Sequence, residues 1–539
     1  MNQKWQSKEQ LTRLLTQLVE FPSITHSDAE IAISEYIQLR LSEWLYFQEH
    51  PDQLALHPTK DGRKLVSALF KHPSSKKTIV LLSHMDVVDV EDYGEWKNLA
   101  FRPQELTDTF YKNIAQIPED VQKDMAQGEW LFGRGSMDMK AGLSLQLSLL
   151  EQACSSEFDG NVLFLTVPDE EANSLGMTTA AHILLKLADQ YDLEYSACLN
   201  TEPIFSRYPG DDQYYVYSGS VGKVLPGFFC YGKETHVGEP FAGVNANHMV
   251  AQLSKLMELN TDFCERVGDE VTPPPTNLMQ KDLKEGYSVQ IPHTAVALYN
   301  VMLMEKSLDA IHAQLLDIGK QAAKNIQTQF YERAKQFSEW VSYQPDPIGV
   351  NVLTYGELRH AAIERYGQDE IDRREMYTLT NYQDLGDRDL TTRLVFDLAS
   401  LCKHLAPMIV LFYSPPFYPA VASHNHERIQ KAIASLQAEA EQQFAIKWEQ
   451  QHFFPGLSDL SYTSLREDGA SLGQLTGNMP LYGERYDLPV EALQKLDIPV
   501  MNVGPYGKDA HQWTERLNVD FSFGPLKRLL AHTVQELLK

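Results

Sequence analysis

Four stretches of the chain are apolar at almost every position: KKTIVLLSHMDVV at 76–88, NVLFLTV at 161–167, and the segments 196–201 and 498–503. A half-solvated strand would alternate apolar with polar, so unbroken runs of this length predict strands buried on both faces. Between them the spacing turns helical. Ser7 and Gln10 form a capping-box pattern ahead of Leu11, Leu14, Leu15 and Leu18, and Pro22 ends the stripe. A second amphipathic helix is predicted over 28–44. Buried strands alternating with helices predict an α/β fold, an open mixed or parallel sheet flanked by helices.

From about Ser218 the pattern changes. A strand in SGSVGKVLPGFFCYG leads to a helix over 245–259, then a Pro-rich loop at 272–276 and a strand over 288–304. A long helix over 307–339 and a strand over 408–413 follow. This is a second, α+β unit, inserted so that the first domain is discontinuous. The expected division is 1–217 for the first part of the discontinuous domain, 218–425 for the insertion and 426–539 for the return. Within the insertion, 341–404 reads as a polar, irregular stretch with weak helical signals.

A chain of 539 residues calls for at least two domains. With 43% hydrophobic and 22% charged residues it has the composition of a soluble globular protein. Seventy-three acidic against forty-seven basic residues leave a net charge of -26, which disfavours nucleic acid and anionic membranes as partners. The N-terminal MNQKWQSKEQ has no signal-peptide core, and no apolar run reaches membrane-spanning length. The five cysteines (Cys154, Cys198, Cys230, Cys264 and Cys402) are scattered and form no CxxC pair, as expected of reduced thiols in the cytoplasm. Cysteine ligation of a metal is not expected either.

The informative polar residues stand where the buried strands end. His84 and Asp86 follow the first strand, Glu170 and Glu171 the second, Glu202 the third, and His511 the last; Asp138 in GRGSMDMK precedes a helix starting near Lys140. Taken singly each has an ordinary structural explanation: a capped strand end, a helix N-cap, a solvated acidic loop, a structural histidine. Together they describe one site, because ligands of open α/β sheets collect beyond the carboxyl ends of the strands. Two imidazoles and three carboxylates can hold two zinc-like cations, and a fourth carboxylate beside them can take a proton from bound water. In the His-x-Asp pair Asp86 would orient the His84 imidazole. Adjacent Glu170 and Glu171 repel each other unless cations or protons intervene, and one can ligate while the other faces the water.

The pieces SHMDVV, GRGSMDMK, PDEE, NTEP, THVGEPFAGVNA, LSDLS and GPYGKDAH occur in the order found in a known family. That family is the co-catalytic zinc group of glutamate carboxypeptidases, aminoacylases, acetylornithine deacetylases and succinyl-diaminopimelate desuccinylases, which the chain resembles over both domains. In length, insertions and altered lid it is most similar to a divergent arginine-utilisation branch. The resemblance implies that Asp138 bridges two zinc ions, with cobalt or manganese able to stand in. His84 and Glu202 would complete one metal's ligands, and Glu171 and His511 the other's. Glu170 would be the general base and Asp86 the support of His84. His236 would be a lid histidine reaching the partner subunit's site to stabilise an oxyanion, which implies a homodimer formed through the inserted domain. Glutamate at position 202 goes with deacylases and carboxypeptidases in this family.

One departure is visible. Relatives carry an aspartate-x-arginine in the lid strand, where the arginine grips a substrate carboxylate; here Asn300 and Met302 stand instead. Either another arginine supplies that grip, with Arg388 and Arg393 as candidate substitutes, or the substrate lacks a free carboxylate there. The expected function is metal-dependent hydrolysis of the amide bond of a small N-acyl amino acid or peptide-like metabolite, in amino-acid catabolism. The altered lid motivates an alternative, a metal-loaded but non-hydrolytic binding or regulatory protein. A dipeptidase or aminopeptidase is a further alternative.

Overall fold

In a computed structural model, which describes residues 4–539 apart from positions 209, 343, 345 and 468, the apolar runs become the centre of an eight-stranded sheet. Clustering of the chain gives two compact units. The first comprises Met1–Val221, Pro419–Leu465 and Leu488–Lys539; the second comprises Gly222–Tyr418 and Arg466–Asp487. Arg466–Asp487, grouped with the catalytic domain on sequence grounds, thus clusters with the second unit.

The early strands of the first unit are β1 (Leu54–Pro58), β2 (Lys64–Phe70), β3 (Lys77–His84), β4 (Trp130–Phe132), β5 (Asn161–Val167), β6 (Glu194–Asn200) and β7 (Tyr214–Tyr217). The large sheet runs β1, β2, β5, β3, β6, Val500–Asn502, β7 and Trp448–Gln451. Its four central members, β5, β3, β6 and Val500–Asn502, are mutually parallel, while β1 and β2 form an antiparallel margin. All of β5 and nearly all of β3 are buried, which is why these strands read as unbroken apolar runs. Burying side chains such as Ile79, Val80, Leu81 and Leu82 is worth about 1.5–3 kcal/mol each, enough to hold the register. The register matters: His84 pairs with Val167 and Leu82 with Asn200, so three parallel strands end together. The chain passes from β3 to a neighbour on one side and then, through β6, to the other, a switch point of the kind at which α/β sheets open a crevice.

Beneath those strand ends lies the helix Lys140–Cys154, every residue of which is buried. Its small residues allow close approach: a Cβ on Gly142 would come within 2.3 Å of the Thr201 carbonyl oxygen. Gln146 donates to the Leu82 carbonyl and, at 2.9 Å, to the Thr201 hydroxyl, tying β3 and β6 to the helix. A small three-stranded sheet, Gly507–Lys508, Arg516–Asn518 and β4, completes the surroundings of the site. The capping box of Ser7 and Gln10 is present at the start of helix Lys8–Val19.

The second unit is a five-stranded sheet in the order Thr276–Asp282, Thr294–Leu303, Gly222–Tyr231, Met408–Tyr418 and Asn351–Thr354. Helices Ala246–Met257 and Leu308–Ser338 belong to it, close to the spans predicted from the sequence. The strand predicted to start at 288 begins at Thr294 instead. One further expectation needs correction, and one strand left no signal. Edge strand Thr276–Asp282 was not anticipated, because its exposed polar positions carry no apolar alternation. The stretch 341–404 is not irregular: it adds Asn351–Thr354 to the sheet in parallel and continues into helices Tyr355–Tyr366, Gln368–Asn381 and Asp387–Leu401. Their narrow apolar stripe, including Leu358, Ile371, Val395 and Leu398, packs on Phe229, Val410 and Phe412, while the outer faces are charged and mask the periodicity. Among the described residues no helix is long and apolar enough to cross a membrane.

Candidate metal centre

Three of the four carboxylates and one imidazole arrive at one edge because parallel strands end in register. His84 is the last residue of β3, Glu170 and Glu171 follow β5, and Glu202 follows β6. Asp138 comes from the loop between β4 and helix Lys140–Cys154. His511 was expected directly after the strand at 498–503; it lies instead in the hairpin between Gly507–Lys508 and Arg516–Asn518, beside β4.

The side chains converge. His84 Nε2 lies 3.3 Å from Asp138 Oδ1, 3.6 Å from Glu202 Oε1 and 3.9 Å from Glu170 Oε2. On the other side of Asp138, His511 Nε2 lies 3.3 Å from Asp138 Oδ2 and 3.2 Å from Glu171. Asp138 therefore offers one oxygen to each imidazole. One ligand atom from each of His84, Asp138 and Glu171 falls within 4.8 Å of the others, so donors from both sides of Asp138 lie close enough to hold cations.

Electrostatics show what the arrangement lacks. Burial pushes the Glu170 and Glu202 carboxyls well above the usual range, and neighbouring acids, with Asp459 among them, push further while His84 opposes. Burial alone would depress the imidazoles, yet His84 is raised well above its usual value by Glu202, Asp138 and Asp86. His511 is raised to about 11, burial being outweighed by its hydrogen bonds with Asp138 and Glu171. Burial would raise Asp138 too, but hydrogen bonds from the two histidines hold it low. Glu202 Oε1 is fully buried without a hydrogen-bond partner. A cluster of buried carboxylates that draws protons onto its imidazoles, and leaves a buried carboxylate oxygen without a hydrogen bond, is a site that fits divalent cations.

The supporting shell was less legible. Asp86 was expected to orient His84, but His84 Nδ1 lies nearer the Asp86 main-chain oxygen, at 3.0 Å, than its carboxylate, at 3.6 Å. The carboxylate mainly accepts the backbone N–H groups of Glu170 and Glu171, at 3.1 and 3.2 Å, and the Thr25 hydroxyl at 2.9 Å. Glu515, not singled out in the sequence, is fully buried and accepts the N–H groups of Met137 and Asp138 at 3.1 and 3.2 Å, with Arg134 at 2.9 Å as its counter-charge. Arg516 holds Asp509, two residues before His511. Asp459 in LSDLS is a further buried acid, pushed up to about 7 by burial with the Ser174 hydroxyl opposing. Only its motif had marked it. Gly504 leaves room for the ligand loop: a Cβ there would lie 1.8 Å from the Glu202 carbonyl oxygen.

The remaining predicted residues lie in the second unit. His236 is exposed, and its Nδ1 accepts the Gly238 N–H at 3.0 Å. Asn300 Nδ2 lies 3.5 Å from Met302 Sδ, so no charge stands at the lid-strand position. Arg393 pairs with Asp397 at 2.9 Å and covers the Tyr382 ring, which leaves its guanidinium already engaged.

This fold and this convergence of acids and histidines define a metallohydrolase. Residues 80–536 match the profile of peptidase family M20/M25/M40, and the chain belongs to that family, a hydrolase acting on amide bonds. It is 50% identical over 535 residues to the Bacillus subtilis (strain 168) protein YqjN, covering 99% of this chain and 97% of that one. It is 29% identical over 551 residues to RocB of the same organism, covering 98% and 95%. The M20 family metallo-carboxypeptidase Sso-CP2 from Sulfolobus solfataricus shares the fold with a TM-score of 0.55 at 13% identity, over 98% of this chain and 99% of that one. The non-hydrolytic alternative is not favoured by these relationships.

Proposed function

We propose that the protein hydrolyses the amide bond of a small N-acyl amino acid or a related peptide-like metabolite, with Glu170 as general base. The observation that carries this is the division of labour at Asp138. Its two oxygens face His84 and His511 separately, while Glu170 stands beside the cluster at 3.9 Å from His84, farther than Asp138 or Glu202. His84, Asp138 and Glu202 would hold one cation and Asp138, Glu171 and His511 the other. A pair of zinc ions, or cobalt or manganese in their place, would acidify the attacking water and polarise the scissile carbonyl. Glu170 takes the proton from that water and delivers it to the departing nitrogen, a role that suits a carboxyl whose affinity for protons is raised by burial. Asp86 holds the backbone of Glu170 and Glu171, so that base and ligand keep a fixed spacing. His236, supplied by a second copy in a homodimer formed through the second unit, would donate to the developing oxyanion.

Glutamate at position 202 and the neutral Asn300 and Met302 support a deacylase without the usual lid grip on a carboxylate. The likeness to an arginine-utilisation branch supports a place in amino-acid catabolism, and the five unpaired cysteines suit the cytoplasm. The test is a screen of zinc-reconstituted protein against N-acyl amino acids and dipeptides, with a chelator arm. Chelator-sensitive release of amine from N-acyl amino acids is expected. Turnover confined to dipeptides or tripeptides would replace the deacylase reading with a peptidase one, and absence of turnover on every amide would overturn both.

A further inference from the structure

The loop that carries Glu170 and Glu171 begins at Asp169, and Asp169 is where the loop is fastened. Its backbone is left-handed, with φ 72°, a conformation that aspartate tolerates better than most residues but that needs support. Its carbonyl oxygen accepts the N–H groups of Asn173 and Ser174 at 3.2 and 2.7 Å, and its Oδ2 accepts the Leu175 N–H at 2.9 Å. Its Oδ1 receives Arg63 Nη1 at 2.8 Å. The same nitrogen reaches both oxygens of Glu30, at 3.1 and 3.0 Å, and Glu30 in turn accepts the Asp169 N–H at 3.0 Å. On its outer side Arg63 is held by Asp61 at 2.7 Å. Arg63, Glu30 and Asp169 are 6%, 0% and 1% exposed, so this is a buried ion cluster built around one guanidinium.

The neighbouring segment joins this cluster to the site from the other side. His26 Nε2 lies 3.2 Å from Asp169 Oδ1, and the His26 N–H donates to Glu30 at 2.6 Å. The preceding residue, Thr25, donates to Asp86, which holds the N–H groups of Glu170 and Glu171. The pair of glutamates is thus gripped at its backbone by Asp86 and at its root by Arg63.

We propose that Arg63 is a positioning residue of the active site: by clamping Asp169 against Glu30 it sets where Glu170 and Glu171 point. The reason for arginine is geometric. A guanidinium can serve Asp61, Glu30 and Asp169 at once through its separate N–H groups, whereas an ammonium presents one compact charge. Removing the cation takes away the hydrogen bonds that hold Asp169 Oδ1 beside Glu30; a proton taken up by Glu30 can relieve the repulsion but cannot replace that clamp, so Asp169 is free to move and carry the next two residues with it. The consequence rests on the roles given above to Glu170 and Glu171.

The experiment compares the full-length Arg63→Gln and Arg63→Lys variants with the parent protein by kinetics, zinc titration and circular dichroism. Outer residues that orient a metal site typically change metal affinity or activity by about 10- to 100-fold when replaced. We expect kcat to fall at least about tenfold in Arg63→Gln with KM within about twofold, and the weaker of the two zinc affinities to fall by about 10- to 100-fold. Arg63→Lys, which keeps the charge and so protects the fold if the glutamine variant is unstable, should recover only part of either loss. A folded Arg63→Lys protein with the parent's kcat and zinc affinities would overturn the proposal, as would a loss confined to KM. The zinc titration needs no substrate. If the parent cleaves no amide, the functional reading fails while the claim that Arg63 places Glu171 is still decided.

Discussion

Replacing Glu170 by glutamine separates the base from the metal site with the least disturbance. The amide has the shape of the protonated carboxyl but cannot accept a proton from water. General acid–base groups contribute about 10²–10⁴ in rate, which is about 2.7–5.4 kcal/mol of barrier. The upper part of that range is expected here, because the Glu170 side chain is buried and no bulk water stands ready to replace it. The fold should not suffer. Burial disfavours a charge on Glu170, and Glu202, Asp459 and Glu171 add to it while His84 opposes, so a neutral amide is tolerated there in the cation-free protein. The assay is steady-state hydrolysis of the best substrate from the N-acyl amino acid screen, with metal content measured on the same samples. We expect kcat to drop by about 10³–10⁴ at nearly constant KM, with zinc retained and melting temperature equal or higher. A glutamine variant within tenfold of the parent's kcat would refute the assignment of the base, and loss of zinc would show Glu170 to be a ligand instead.

Three further outcomes follow from the same geometry. His84 and His511 are raised above the ordinary histidine value, His511 to about 11, so His511 carries a proton at neutral pH until cations arrive and His84 is biased the same way. Zinc binding should release protons, from the imidazoles and from buried carboxyls such as Glu202, read from calorimetric heats in buffers of different ionisation enthalpy; release near zero would contradict the ligand set. A raised folded-state pKa stabilises fully below the unfolded value of about 6.5 and is lost as pH rises through the folded one, so the chelated protein should lose melting temperature between about pH 6.5 and 11. Replacing Gly504 by alanine drives a methyl into the Glu202 carbonyl at 1.8 Å and should cost about 1–3 kcal/mol while weakening zinc; parental stability and affinity would show that the Glu202 loop yields freely.

The parts of the fold that position the site were legible because burial on both faces writes itself into sequence. β3 and β5 could be placed from composition alone, and the polar residues just after them then had only one sheet edge to occupy. The helices between 355 and 401 were not legible, since a narrow buried stripe under charged outer faces dilutes helical periodicity. A usable signal was there: Thr354 and Glu357 form the capping box that opens the first of them. The supporting shell was opaque for a different reason. Arg63 meets Asp169 across 106 positions and Glu515 meets Asp138 across 377, and nothing local marks a single charged residue for a distant partner. His511 was expected at a strand end because the hairpin that carries it has strands of only two and three residues, too short to leave a pattern.

The most direct test of the paired-cation centre is anomalous diffraction at the zinc edge from crystals of the zinc-reconstituted protein. Two peaks per chain are predicted, one on each side of Asp138, with His84 and Glu202 beside the first and His511 and Glu171 beside the second. A single peak, or zinc bound away from Asp138, would contradict the account.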